Sequence, residues 1–453
     1  MKHLRYLVCL WVLIVSSLRI AAAENEKPNF IFILVDDMGW ADLACYGEPY
    51  FETPNIDKLA SQGMKFTQAY SACTVCSPTR ASFLTGKYPA TLKVTDWIAG
   101  HDKPNAKLVP PDWTLHLPKD EITIAQRLKS AGYATASIGK WHLGGPEFAP
   151  EKFGFDINIA GFHKGSPPSY FSPYNNPHLS DGPDGEYLTD RLTGEAIQFI
   201  EKNKTKPFFV YLPHYAVHTP IQAKKTVTEK YRNKPQPAGK KINPEYAALV
   251  ESVDDSVGRL MTALDGLDLS RRTYIFFTSD NGGLARHTSN KPLRDGKGSV
   301  YEGGVRVPLI VRGPNIQQHT NDTPVITADF YSTILELAGL PHKEEHQVEG
   351  ESLLPLLASN GKLKRTDLYW HYPHYHPGGA TPYSAIRDGD FKLIQFYEDG
   401  AFELYNLKND IGETQNLAVQ MPAKVLELNR KLDLWRKATG AQSPLPNPRQ
   451  HQL

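Results

Sequence analysis

Asn29-Phe30-Ile31-Phe32-Ile33-Leu34-Val35, followed at once by Asp36-Asp37, is the stretch from which the fold is read. It is apolar at both parities and rich in β-branched residues, as expected of a strand covered on both faces. Such strands belong to parallel sheets. The run stops at two adjacent carboxylates, which repel each other and contribute little to packing. A hard divalent cation with oxygen ligands explains them, and a turn rich in acids is the alternative.

The same pattern recurs three times. Tyr133-Ala134-Thr135-Ala136-Ser137-Ile138 runs into Gly139-Lys140-Trp141-His142. Pro207-Phe208-Phe209-Val210-Tyr211-Leu212 runs into Pro213-His214, with His218 shortly after, and Thr273-Tyr274-Ile275-Phe276-Phe277-Thr278 runs into Ser279-Asp280-Asn281. Helical spacing occupies 122–130, 187–202 and 244–264 between them, the last opened by Asn243 as a cap. The alternation predicts an α/β fold, with a large, mostly parallel β-sheet sandwiched by helices. In such sheets the ligand crevice lies outside the C-terminal strand ends. Asp36, Asp37, Lys140, His142, His218, Asp280 and Asn281 are therefore expected to converge. Lys140 and His142, two residues apart in extended chain, should point the same way.

Residues 87–118 read as a loop insertion at the rim of that crevice, carrying Trp97, Trp113 and His101. Residues 144–186, rich in Gly, Pro, Ser and aromatics, read as a second loop excursion. After about residue 360 the texture changes to short strands, among them Leu368-Tyr369-Trp370-His371-Tyr372 and Phe391-Lys392-Leu393-Ile394-Gln395, separated by turns such as Asp388-Gly389-Asp390. With a helix over 425–437, this predicts a smaller C-terminal antiparallel sheet carrying a helix. The expected division is a leader over 1–23, a catalytic domain over 24–360 and a C-terminal subdomain over 361–453.

The leader has a basic start (Lys2, His3, Arg5), an apolar run and a small-residue cleavage site at Ala21-Ala22-Ala23. It predicts export to the periplasm or beyond. No later apolar run approaches membrane length, so no stable membrane insertion is expected. Across 453 residues, 40% hydrophobic and 22% charged content is ordinary for a soluble protein with a core. A formal net charge of +1 argues against nucleic acid or a membrane surface as a general partner. Aromatic content of 11% suits a carbohydrate-facing surface. Of the four cysteines, Cys9 leaves with the leader, and the odd remainder leaves at least one unpaired. A Cys45–Cys73 bridge is allowed; a disulfide scaffold is not.

Cys76-Ser77-Pro78-Thr79-Arg80, completed by Leu84-Thr85-Gly86, opens a helix, with Pro78 tolerated in its first turn and Gly86 stopping it. Taken alone, this is either a buried structural cysteine or a nucleophile beside a positive helix end, with Arg80 one turn along. The segment resembles the signature of the type I sulfatases, and the likeness extends over nearly the whole mature chain. That resemblance implies the alkaline phosphatase/sulfatase-like fold and oxidation of Cys76 to formylglycine by a separate maturation enzyme. It further implies that Asp36, Asp37, Asp280 and Asn281, with position 76, hold a metal, calcium rather than magnesium. Arg80 and Lys140 would hold the aldehyde hydrate, His142 would handle its proton, His218 would protonate the leaving oxygen, and Lys297 would bind sulfate. The implied substrate is a sulfated glycan or an aryl sulfate. The hydrate would attack sulfur and later expel sulfate as the aldehyde reforms.

Among further histidines, His371 and His374 rank first as sugar-binding groups, since Trp370-His371-Tyr372-Pro373-His374-Tyr375 is dense in residues that stack on and bond a sugar. His214 and His163 follow, with His101 and His376 behind them. Two other readings compete: a phosphonate or phosphate monoester hydrolase on the same scaffold, and a non-catalytic secreted glycan-binding protein.

Overall fold

The structure is a computed structural model that describes residues 27–358 and 361–449. The leader expected over 1–23 lies outside the described residues. Strand β1 (Asn29–Val35) is buried at every position and sits in the middle of the main sheet. It pairs in parallel with β6 (Phe208–Pro213) on one side and β7 (Thr273–Ser279) on the other. Beyond β6 follow β4 (Ala134–Ile138) and the short β5 (Ile157–Ile159), again parallel. Beyond β7, β8 (Arg306–Arg312) runs antiparallel and joins β2 (Met64–Tyr70), which also carries β9 (His319–Asn321) and β10 (Val325–Ile326). The expected mostly parallel sheet is thus observed, with two antiparallel joins at β8. Strand β5 falls inside the expected loop excursion; three residues are too few to show periodicity.

Alternation along β1 divides the core. Ile31, Ile33 and Val35 enter the layer holding the helices Pro54–Ser61, Leu188–Lys202 and Pro244–Gly266. Phe30, Phe32 and Leu34 enter the opposite layer, with Cys76–Thr85, Ile124–Ser130 and Asp329–Leu337. Each such side chain contributes roughly 1.5–3 kcal/mol by leaving water, so the strand is fixed from both sides. Its polar C-terminal end is fixed with it. Asn243 caps its helix by accepting from the Glu245 N–H at 2.8 Å.

The small sheet is the antiparallel meander β11 (Asp367–Tyr372), β12 (Tyr383–Asp388), β13 (Phe391–Phe396) and β14 (Phe402–Asn406). The helix Pro422–Thr439 covers one face, setting Leu428 and Leu432 on Ile386, Leu393 and Leu404. The other face places Trp370, Ala385 and Ile394 against Tyr70, Val75 and Val305 of the main domain. Strand β3 (Leu108–Val109), within the rim insertion, pairs with β15 (Leu445–Pro446) near the C-terminus. Cys45, Cys73 and Cys76 are all free, so the allowed Cys45–Cys73 bridge is not formed.

Candidate functional site

Four strand ends meet at one edge of the main sheet. Asp36 and Asp37 follow β1, Asp280 and Asn281 follow β7, and all four are at most 1% exposed. After β4 the chain turns at Gly139 (φ +125°), where a Cβ would lie 2.0 Å from the Pro213 carbonyl oxygen; only glycine fits. The turn brings the Lys140 N–H to that carbonyl at 2.7 Å. The predicted extended geometry of Lys140 and His142 does not hold, because His142 itself has φ +57°. Lys140 points back into the protein, and His142 lines the pocket.

Behind the pocket three carboxylates face three cations. Lys140 Nζ is 2.7 Å from Asp36 Oδ2, and Lys297 Nζ is 2.7 Å from Asp37 Oδ1. Arg80 donates from Nε and Nη2 to Asp280 Oδ2 at 3.0 and 2.7 Å, and from Nη1 to the Lys140 carbonyl at 3.1 Å. Asn281 Nδ2 donates to Asp37 Oδ1 at 2.8 Å. Burial opposes ionisation of Asp37, but Lys297, His218 and Lys140 outweigh it and hold its carboxyl below the usual range. Burial, together with Asp280 and Asp37, pushes Asp36 up to about 8 despite Lys140 and Arg80.

Two buried oxygens there, Asp36 Oδ1 and Asn281 Oδ1, have no hydrogen-bond partner. Asp36, Asp37, Cys76 and His218 each offer a ligand atom, all within 4.8 Å of one another. Oxygen donors with lone pairs open fit a hard divalent cation. Asp280 lies beside this group, its Oδ1 accepting from the Asp37 N–H at 3.2 Å and its Oδ2 from Arg80.

Cys76 is the first residue of a helix whose ten residues are all buried, and Gly86 ends it at φ +71°. Its sulfur lies 3.5 Å from Lys297 Nζ. Burial pushes the thiol up to about 12 in spite of Lys140 and Lys297, so the sulfur is no thiolate at neutral pH. Arg80, one turn later, gives the hydrogen bonds named above to Asp280 and Lys140.

The two site histidines are neutral. Nε2 of His142 bonds the Ile98 carbonyl, which places its proton there and leaves Nδ1 buried with no partner. Burial, then Lys140, hold His142 well below its ordinary value. Nδ1 of His218 lies 2.8 Å from the Thr219 carbonyl, and Nε2 stands 3.6 Å from Asp37. Burial and Lys297 push His218 down to about 3.

Cys76, His142, His218 and Lys297 open onto a pocket of about 910 Å³. Trp97 of the rim insertion lines it, whereas Trp113 lies edge-on to His374 instead. Three of the proposed sugar-binding histidines are corrected. His371 is held inside the small sheet by Ser384 Oγ and the Gln442 carbonyl, at 2.8 and 2.9 Å. His374 is buried against Thr95 Oγ1 at 2.8 Å, and His214 is buried against Ser256 Oγ at 3.0 Å. His163 is exposed beside Phe162, just before the pocket-lining Gly165 and Ser166. The further histidine that does line the pocket is His376, placed from sequence with His101 behind the others. Its signal was His376-Pro377-Gly378-Gly379, a turn sequence that must lie outside the strands.

The family description "Sulfatase" matches residues 28–340, and "N-sulphoglucosamine sulphohydrolase, C-terminal" matches 295–438. A "Sulfatase" of Formosa agariphila is 35% identical over 91% of this chain and 89% of its own. The N-acetylgalactosamine-6-sulfatase of Mus musculus is 34% identical over 90% of this chain and 79% of its own. Among solved structures, Ps i-CgsB in complex with k-i-k-neocarrahexaose superposes with a TM-score of 0.78 at 31% identity, covering 90% of this chain and 93% of that one.

Proposed function

The chain belongs to the sulfatase family and is a sulfuric ester hydrolase; from that premise we propose that it removes sulfate from a carbohydrate, using formylglycine made from Cys76 and a divalent cation. The observation that carries this reading is Cys76 on the floor of a pocket, 3.5 Å from Lys297 and backed by the two unpartnered oxygens of Asp36 and Asn281. Two of the similar proteins support a sugar, one named for N-acetylgalactosamine and one solved with a neocarrahexaose. The sulfatase names of the Formosa agariphila and Mus musculus proteins weigh for sulfate over a phosphonate or phosphate ester, and for catalysis over binding alone. Residues 24–360 would form the catalytic domain and 361–453 the C-terminal subdomain, exported behind the leader to the periplasm or beyond.

Asp36, Asp37, Asp280 and Asn281 would hold the cation, calcium in preference to magnesium, and it would supply positive charge beside a sulfate ester. Oxidation of Cys76 by a maturation enzyme would supply, as the aldehyde hydrate, an oxygen nucleophile for sulfur. The chain's own residues do the rest. Lys297 draws sulfate oxygens toward position 76. His142, its Nε2 fixed on the Ile98 carbonyl, presents a free Nδ1 that can take a proton from the hydrate. With Nδ1 bonded to the Thr219 carbonyl, His218 would take up a second proton at Nε2 to supply the leaving alcohol; burial and Lys297 oppose that protonation, and a bound sulfate anion would offset the Lys297 charge. Arg80 and Lys140 fix the carboxylates behind.

Two measurements test the reading. Peptide mass spectrometry across Cys76, on protein from the native host, is expected to show the aldehyde or its hydrate; an unmodified thiol refutes the assigned nucleophile. A panel of sulfated mono- and oligosaccharides is expected to contain a substrate, and turnover confined to aryl sulfates sinks the sugar reading.

A further inference from the structure

The small C-terminal sheet reaches the pocket through the chain between β11 and β12, with Tyr383 and Phe396 of its strands beside it. Within it the His376 N–H donates to the Ala380 carbonyl at 3.0 Å, and the Gly379 N–H donates to the His376 carbonyl at 2.9 Å. The turn is closed on itself before any ligand arrives. The Gly378 N–H donates to His376 Nδ1 at 3.0 Å, which makes that nitrogen an acceptor. In the neutral ring the proton must then sit on Nε2. Burial and the neighbouring Lys297 push His376 down to about 4, so the ring is neutral at neutral pH. The imidazole packs on Gly298, next to Lys297, where a Cβ would come within 2.1 Å of Nδ1. Among the described residues Nε2 has no partner, and the ring borders the same pocket as Cys76 and His218.

We infer that His376 is a substrate-binding residue whose Nε2–H donates to an oxygen, a hydroxyl or ring oxygen, of the sugar that carries the sulfate. The inference rests on the proposed carbohydrate specificity. A neutral donor with its ring orientation fixed suits a neutral oxygen. The charged group for sulfate itself is the adjacent Lys297, beside position 76. A site that offers a hydrogen bond to a substrate oxygen discriminates against substrates that lack it. His376 should therefore matter for sugar sulfates and not for a flat aryl sulfate.

The test compares wild type, His376→Ala and His376→Gln on two probes. One is the best-cleaved sugar of a sulfated panel beginning with N-acetylgalactosamine 6-sulfate; the other is 4-nitrophenyl sulfate. His376→Ala is expected to lower kcat/KM on the sugar by roughly tenfold, the scale of one hydrogen bond. Turnover of the aryl sulfate should stay within about twofold. His376→Gln, which keeps an N–H donor, should recover part of the loss. An equal loss on both probes, or none on the sugar, overturns the role of His376 while leaving the carbohydrate specificity standing. A wild-type enzyme that cleaves 4-nitrophenyl sulfate and no sugar overturns both.

Discussion

Two buried charge clusters in this protein invite comparison, one at the strand ends and one at the seam between the sheets. At the seam, Glu302 Oε2 accepts from Tyr70 Oη at 2.7 Å and Arg306 Nη1 at 3.3 Å, and its Oε1 from Lys392 Nζ at 3.0 Å. Glu413 Oε2 accepts from the Glu302 N–H at 2.6 Å, and its Oε1 stands 3.0 Å from Lys392 Nζ. Each carboxylate oxygen there lies within 3.3 Å of a protein donor group, although Glu413 Oε1 forms an ion pair and no hydrogen bond. At the strand ends, by contrast, Asp36 Oδ1 has no hydrogen bond and its nearest cation, Arg80 Nη2, stands 3.7 Å away, while Asn281 Oδ1 has no hydrogen-bond partner. Both places bury acids and bases at the cost of desolvation. The seam closes its account internally and so acts as an attachment. The strand ends leave Asp36 Oδ1 and Asn281 Oδ1 open, as ligand atoms must be.

That contrast can be broken most sharply at Cys76. Cys76→Ala is expected to lower sulfate ester hydrolysis by roughly 10⁴-fold or more, as loss of a nucleophile does, with an unchanged melting temperature. Retained activity would refute the assignment. The seam should behave in the opposite way. Lys392→Met strands Glu302 and Glu413 against each other, with an expected loss of about 3–5 kcal/mol in denaturant unfolding. Adding Glu413→Gln should restore part of it; full stability in the single variant would mean the cluster holds nothing.

A smaller effect sharpens the strand-end side. Adding calcium to chelated protein at about a hundredfold over its Kd should stabilise by about 2.7 kcal/mol, seen as a higher melting temperature, with magnesium weaker. In Asp36→Asn or Asn281→Ala that shift should shrink, whereas in Lys392→Met it should persist. An unmoved melting temperature in wild type would remove the cation from the site.

The last effect accumulates with pH. Burial pushes His214 down to about 3 and His371 to about 4, whereas the unfolded residues titrate near 6.5. The stability this gives is present above about 6.5 and is lost as pH falls toward the folded values. Each histidine contributes about 1.4 kcal/mol per pH unit in that window. His374 is also pushed down, to about 3, but burial holds neighbouring Asp96 up to about 7. The pair carries one proton folded and one unfolded near pH 5, so it should contribute little. His214→Gln should flatten the acid limb of stability measured by chemical unfolding between pH 6.5 and 4; an unchanged slope would count against a buried neutral ring.

The runs that form β1, β6 and β7 were legible because strands buried on both faces are apolar at both parities; β4, with Thr135 and Ser137 at alternate positions, carries that pattern more weakly. Strand β8, Arg-Val-Pro-Leu-Ile-Val-Arg, hid behind its terminal arginines and its proline. Convergence of Asp36, Asp37, Asp280 and Asn281 followed from strand direction alone. The pocket histidines did not follow so simply. His371 lies in a sheet covered on one face by a helix and on the other by the main domain, so no parity within β11 leads to the pocket. Only the connection after the strand does, and His376 sits in it. Likewise, Lys140 turns toward Asp36 because Gly139 breaks the extended geometry on which side-chain parity depends.

The helix Cys76–Thr85, buried along its whole length, also imposes an order of events. Once it has packed between the main sheet and the helices beside it, no second protein can grip the segment around position 76 as an open chain. The proposed oxidation therefore has a deadline set by folding. It must be finished while this part of the polypeptide is still young, and a molecule that folds first keeps its thiol for life.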